Sequence, residues 1–207
     1  MQQLALAINQ EGWPLYLRRK ADPAFLPLRD KIFARDRYAC QFCGFQAKEY
    51  QDVVNLDGDY RHNRSSNLVT ACCFCAQCFF VQEVGQGGFG GGHLIYLPEM
   101  SQVELNSFCH VIFCAMTNGT GYRETAQNIY RTLKFRSQLV EDKFGPGMGD
   151  PHVFGRALLE YESDQQKKVS ETLLMNLRLL PSYARFKTQL ERWAASAAEE
   201  LVSNKAG

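Results

Sequence analysis

The chain has 207 residues, 45% hydrophobic and 22% charged, the composition of an ordinary folded protein and not of an extended disordered one. Its 23 basic and 22 acidic side chains leave a net charge of +1, evenly spread: 10 of each sign fall in residues 1–100, and 13 basic against 12 acidic in residues 101–207. With no basic arm, a tight grip on nucleic acid that ignores sequence is excluded, and none is expected as a partner.

From the N-terminus, Leu4–Asn9 and Trp13–Arg18 alternate between apolar and polar, with Glu11-Gly12 between them, which predicts a hairpin. Phe25, Leu28, Ile32 and Phe33 then predict a short helix within residues 23–36. Residues 37–81 hold six of the eight cysteines. Gly85-Gln-Gly-Gly-Phe-Gly-Gly-Gly92 reads as a flexible loop; a phosphate-cradling loop would need a following Lys-Ser or Lys-Thr, and His93–Leu97 reads as a strand.

Beyond Pro98 the spacing turns helical. Ser101 and Glu104 form a capping box, and Leu105, Phe108, Cys109, Ile112, Phe113 and Met116 make an apolar stripe up to Asn118-Gly119. A second helix is expected over Tyr122–Phe144, ended by Gly145-Pro146-Gly147, and a third from Asp150-Pro151. Leu173, Leu174, Leu177 and Leu180 read as a helical stripe stopped by Pro181; Phe186, Leu190, Trp193, Ala197 and Leu201 read as another. The expected class is α+β: an N-terminal hairpin plus cysteine module over 1–84, a glycine-rich loop over 85–92, and a mainly helical region over 93–207, a C-terminal helical bundle packed on the rest as one compact unit.

The cysteines carry the chemistry. The first residues show neither the charged start nor the apolar run of a secretory signal, and the apolar clusters at 71–81 and 108–116 are too short to span a bilayer. A cytoplasmic protein is therefore expected, where clustered thiols hold metal more often than they pair as disulfides. Cys40-Gln-Phe-Cys43 and Cys72-Cys-Phe-Cys75 are two C-x-x-C knuckles with 28 residues between them, and four thiolates complete a closed tetrahedral zinc site. Gly44 gives the first knuckle the backbone freedom its turn wants. In the second cluster Cys73 and Cys78 are also available, and Cys75-Ala-Gln-Cys78 is itself a C-x-x-C. Cys72 and Cys75 are favoured because Asn67-Leu-Val-Thr70 reads as a strand or turn ending there. One structural Zn2+ on Cys40, Cys43, Cys72 and Cys75 is the expectation, with Cys73 and Cys78 as spare thiols and Cys109 and Cys114 in the helical core.

These residues resemble a known module. Arg35-Asp-Arg-Tyr-Ala-Cys-Gln-Phe-Cys-Gly44 followed by Asn67-Leu-Val-Thr-Ala-Cys-Cys-Phe-Cys75 is similar to the zinc-bearing HNH endonuclease, over about 45 residues. The resemblance implies a ββα-metal core stapled by zinc beside a separate catalytic site. Yet the family's Asp-His pair falls on Val54-Asn55, and its final histidine on Ala76. Neither asparagine, valine nor alanine can serve as a general base near neutral pH. Asp57, Asp59 and His62 are candidates for a displaced site, although Asp57-Gly58 predicts a solvated turn.

The Leu-Asp-Gly-Asp turn, the Cys75-Ala-Gln-Cys78 segment, the glycine loop with His93-Leu-Ile-Tyr-Leu-Pro-Glu99, Leu179-Leu-Pro-Ser182 and Arg192-Trp193 resemble, over essentially the whole chain, the IcmJ family of the type IVB (Dot/Icm) secretion system. That resemblance implies a non-enzymatic cytoplasmic subunit of the coupling complex, docked on the C-terminal extension of a DotL-type coupling ATPase at the inner membrane, among other coupling-complex subunits. Two readings follow: a zinc-stabilised adaptor that binds protein, with Phe79, Phe80 and Phe89 either exposed for contact or plain core, and a metal-dependent nuclease with a displaced site.

Overall fold

A computed structural model describes residues 2–119, 121–160 and 172–203. Gly12–Ala21 is a helix (α1), so the expected N-terminal hairpin is not formed. Asn9 explains the start: its side-chain oxygen accepts from the Gly12 amide at 2.8 Å. Pro14, which has no amide to give a strand, sits in the first turn, where none is needed. Trp13 and Tyr16, three apart, then stack on the same side at 5.6 Å, whereas Leu17 stays exposed. The preceding stretch is extended but pairs elsewhere, Ala7 exchanging backbone bonds with Cys78 and Val81.

The short helix is found at Leu26–Arg35 (α2), entered through a 3-10 turn at Pro23–Phe25. It ends in two left-handed residues, Arg37 (φ 54°) and Tyr38 (φ 56°), which swing the chain toward the first knuckle. Gln51–Asn55 (β1) and Leu68–Cys72 (β2) pair antiparallel, with Gln51 opposite Cys72 and Asn55 opposite Leu68. Cys73–Ala76 (α3) follows directly. The free edge of β2 is covered by side chains: Arg35 donates to the Ser65 and Leu68 carbonyls, and Asp36 accepts from the Thr70 amide. The Arg35-Asp36 pair thus serves to satisfy the backbone of this edge.

The glycine loop is anchored on both sides. Gly91 N–H donates to Gln77 Oε1 at 2.9 Å, and Arg185 donates to the Gly85 carbonyl at 2.6 Å. A side chain at Gly91 (φ 155°) would meet Arg185 Cγ at 2.6 Å, so glycine is needed there for space. Gly92–Tyr96 (β3), the expected strand, pairs antiparallel with Leu177–Pro181 (β4), Gly92 facing Pro181 and Tyr96 facing Leu177. This corrects the helical reading of Leu177 and Leu180, which adds a second strand to the mainly helical C-terminal region. Leu177 and Leu179 enter one core while Leu180 enters the other, so a strand buried on both faces wrote a run of leucines that resembles helical spacing.

Gln102–Thr117 (α4) starts at the complete Ser101/Glu104 capping box. The expected long second helix is two, Arg123–Phe135 (α5) and Ser137–Phe144 (α6). The break is at Arg136, whose carbonyl accepts from the Tyr96 amide and whose guanidinium pairs with Glu99 at 2.5 Å, tying the joint to the end of β3. Pro151–Leu158 (α7) is capped by Asp150, and Lys187–Ser203 (α8) carries the last stripe. Phe186, just before α8, and Leu190 on it are buried; the side chain of Leu201 lies outside the described residues.

The larger core joins both halves: Phe42, Phe74 and the knuckle cysteines pack against Leu105, Cys109 and Phe113 of α4 and against Phe186 and Leu190. The second core joins Leu6, Val81 and Leu94 to Val140, Phe154 and Leu179. Among the described residues no helix is long and apolar enough to cross a membrane.

Candidate metal centre

The first knuckle is a tight turn, with Gly44 (φ 77°) donating to the Cys40 carbonyl and Cys40 donating to the Phe45 carbonyl, both at 2.9 Å. Gln41 N–H then bonds the Thr70 carbonyl at 2.9 Å, which pins the turn against β2. The second knuckle comes from the junction of two elements: Cys72 ends β2 and Cys75 lies in α3.

Together they bring the four sulfurs within 4.8 Å of one another, with Cys43 and Cys72 3.6 Å apart. All four side chains are buried. Four sulfurs at about 2.3 Å from a tetrahedral zinc lie about 3.8 Å apart, so these residues fit such an ion. Of the remaining cysteines, Cys78 donates its thiol to the Phe74 carbonyl at 3.3 Å, Cys73 is half-buried, and Cys109 is core as expected. Cys114 is not: it is exposed, because it lies on the solvent side of α4 near Asn118, which donates to its sulfur.

Hydrogen bonds from Cys43, Cys72 and Cys75 pull Cys40 far below an ordinary thiol, while burial pushes Cys72 and Cys75 upward. So dry a site does not hold several bare thiolates on its own; four thiolates need a cation.

Among the described residues two further side chains touch these sulfurs, and both lie on α4. Asn106 Nδ2 donates to Cys75 Sγ at 3.2 Å, and His110 Nε2 is 3.4 Å from Cys72 Sγ. The His110 ring is stacked between Phe45 (3.7 Å) and Phe74 (4.3 Å), and burial pushes its pKa down to about 3. Gln102, Asn106 and His110, four residues apart and all buried, form a polar stripe along an otherwise apolar helix face. Reading that face only as a hydrophobic stripe hid them; the four-residue spacing of polar side chains was the available signal.

At the opposite end of the β1–β2 hairpin the displaced-site candidates also meet. His62 Nδ1 is 2.6 Å from Asp57 Oδ2, and Asn67 Nδ2 donates to Asp57 Oδ1 at 2.8 Å. Burial opposes ionisation of Asp57, but the hydrogen bonds from His62 and Asn67 outweigh it and hold its pKa down. Asp59 is spent on the Arg61 amide. Asn55 is buried and fully occupied: its oxygen accepts from Arg19 at 2.5 Å, and its nitrogen donates to the Asp59 and His62 carbonyls. Arg19 also donates to Asn63 Oδ1 and the Val53 carbonyl, so a guanidinium fills this end of the hairpin. Ala76 is buried in α3. Phe80 is fully buried, and Phe79 and Phe89 are partly buried beside Trp13 and Tyr16, which resolves those aromatics toward packing.

Fold and site define a mixed α and β protein organised around a buried four-cysteine cluster able to hold a metal ion. No protein-family model matches the chain. It is, however, 61% identical over 200 residues to the type 4 apparatus protein DotN of Legionella pneumophila, covering 97% of this chain and 93% of that protein. The chain therefore belongs to the DotN family.

Proposed function

We propose that the chain is a non-catalytic, zinc-stabilised scaffold subunit of a type IVB secretion coupling complex, binding the C-terminal segment of the coupling ATPase and so contributing to effector recruitment. The single observation that carries this reading is its near full-length kinship with a type 4 apparatus protein. Cys40, Cys43, Cys72 and Cys75 would hold one structural zinc, which supplies a crosslink between the knuckle turn and the β2–α3 junction. An HNH-like ββα module converted to scaffolding accounts for the β1–β2–α3 order, with Asn55 and Arg19 locked into each other where that module has its histidine. The protein is cytoplasmic and reaches the inner membrane through its partner.

A groove suits the peptide. Beside the cysteine centre a cavity of about 680 Å³ runs between residues 45–49 and α8, lined by Phe45, His110, Leu190, Trp193 and Ala194. Its apolar floor and its rim, where Arg192 pairs with Glu49 at 2.9 Å, fit an amphipathic helix or extended segment. Titration calorimetry with the ATPase C-terminal segment tests this: binding weakened at least about tenfold by Ala194→Trp, a change of about 1.4 kcal/mol, is the expected result. No binding to the unmodified chain would remove the partner assignment. The nuclease reading draws on one observation, the Asp57–His62 contact. Plasmid cleavage with Mg2+ or Mn2+ that disappears in His62→Ala would establish it against the scaffold.

A further inference from the structure

We propose that α4 supplies the cysteine centre with two side-chain N–H···S donors, Asn106 to Cys75 and His110 to Cys72, which relieve the charge of the second knuckle's thiolates and make α4 part of the metal site. This deepens the zinc reading and rests on it. Four thiolates around one divalent ion carry a net charge of −2, buried here away from water, and N–H groups directed at sulfur are how a protein interior offsets such charge.

The direction of the Asn106 bond follows from a chain of necessity that begins at the backbone. The Leu179 amide can only donate, and it points at Gln102 Oε1 at 2.8 Å. Gln102 Nε2 is therefore the donor to the Leu179 carbonyl and to Asn106 Oδ1, both at 2.9 Å. With its oxygen so occupied, Asn106 has only Nδ2 to present to Cys75 Sγ. One turn further on, His110 offers Nε2 to Cys72, and a thiolate there is an acceptor, which fixes the Nε2–H tautomer. The ring cannot rotate away, since Phe45 lies parallel to it within 5° on one face and Phe74 within 18° on the other. From β4 through Gln102 and Asn106 to Cys75, the C-terminal half is thus wired to the metal centre by hydrogen bonds as well as by apolar packing.

The test uses the whole chain with Cd2+ or Co2+ in place of zinc. In the unmodified protein, 15N-labelled His110 is expected to carry its proton on Nε2 and to show a scalar coupling to 113Cd across the N–H···S bond. His110→Phe keeps the aromatic stack but loses the donor; His110→Gln keeps a donor without the ring; Asn106→Leu removes the second donor. Loss of either donor should move the thiolate-to-Co2+ charge-transfer band to lower energy and speed zinc transfer to a chelator by at least about tenfold, the scale seen when outer-shell partners of metal ligands are removed. His110→Gln should restore both readouts toward the unmodified values. A metal-loaded chain whose His110 Nε2 bears no proton overturns the proposal, as do His110→Phe and Asn106→Leu proteins with the band unmoved and the transfer rate within twofold. An unmodified chain that takes up no metal overturns the zinc reading instead, and is recognised before any variant is made.

Discussion

The two ends of the β1–β2 hairpin, about 13 Å apart for a five-residue strand, have opposite chemistry. At the Cys72 end, four buried sulfurs face one another and the capacity left open is for a cation. At the Asn55 end, the main acceptors and donors are already engaged within the chain, and the cation is a built-in one, the Arg19 guanidinium. One hairpin therefore offers an open coordination problem at one end and a closed hydrogen-bond network at the other. The lesson is that a buried asparagine at a strand end can be fully spent on structure: an arginine from α1 turns the place into a fixed joint.

Experiments that break one end and leave the other should show the difference, starting with the largest effect. Cys72→Ser, or chelation, should unfold the chain, because structural zinc binding is worth about 10 kcal/mol or more at neutral pH and a domain's whole stability is about 5–15 kcal/mol; far-UV circular dichroism before and after chelator reads this directly. Arg19→Met should cost about 3 kcal/mol by leaving Asn55, Asn63 and the Val53 carbonyl short of a donor, yet keep full metal content, as urea denaturation and metal analysis on one sample would show. Failure of zinc binding in that variant would mean that the two ends are not separable.

Asp36→Asn should be milder, about 1 kcal/mol, since asparagine keeps a side-chain oxygen that can still accept one of the bonds. Burial opposes its ionisation, but hydrogen bonds from Arg35 and the Thr70 amide outweigh that and hold its pKa down. A carboxylate with a lowered folded-state pKa contributes its stability fully above about pH 4 and loses it as the pH falls through the lowered value. The gap between the Asp36→Asn and unmodified proteins should thus close on acidification below pH 4, and a gap that widens there would contradict the assignment. Smallest of all, His62→Ala touches a half-exposed pair and should change stability by less than about 0.5 kcal/mol.

What could be read beforehand depended on how local the determinant is. The knuckles were legible because two sulfurs three residues apart turn toward one centre whatever surrounds them, and Ser101/Glu104 and Asp150-Pro151 marked helix starts for the same reason. The apolar alternation at residues 4–18 points to a hairpin but is overridden by Asn9 capping α1 and by aromatic packing on Phe80. β4 reads as a helix in the sequence because its leucines serve two cores at once. Arg136 broke the expected long helix through a bond to β3, 40 residues away in sequence. Asn106 and His110 escaped because their role depends on sulfurs more than 30 residues upstream, although their spacing with Gln102 was visible.

The central claim, that the four knuckle cysteines hold one structural metal ion, is tested most directly by native mass spectrometry of the intact chain beside a Cys40→Ser/Cys43→Ser variant. One zinc per chain is expected in the former and none, with loss of folded charge states, in the latter. A folded chain free of metal, or zinc retained by the double variant, would contradict it.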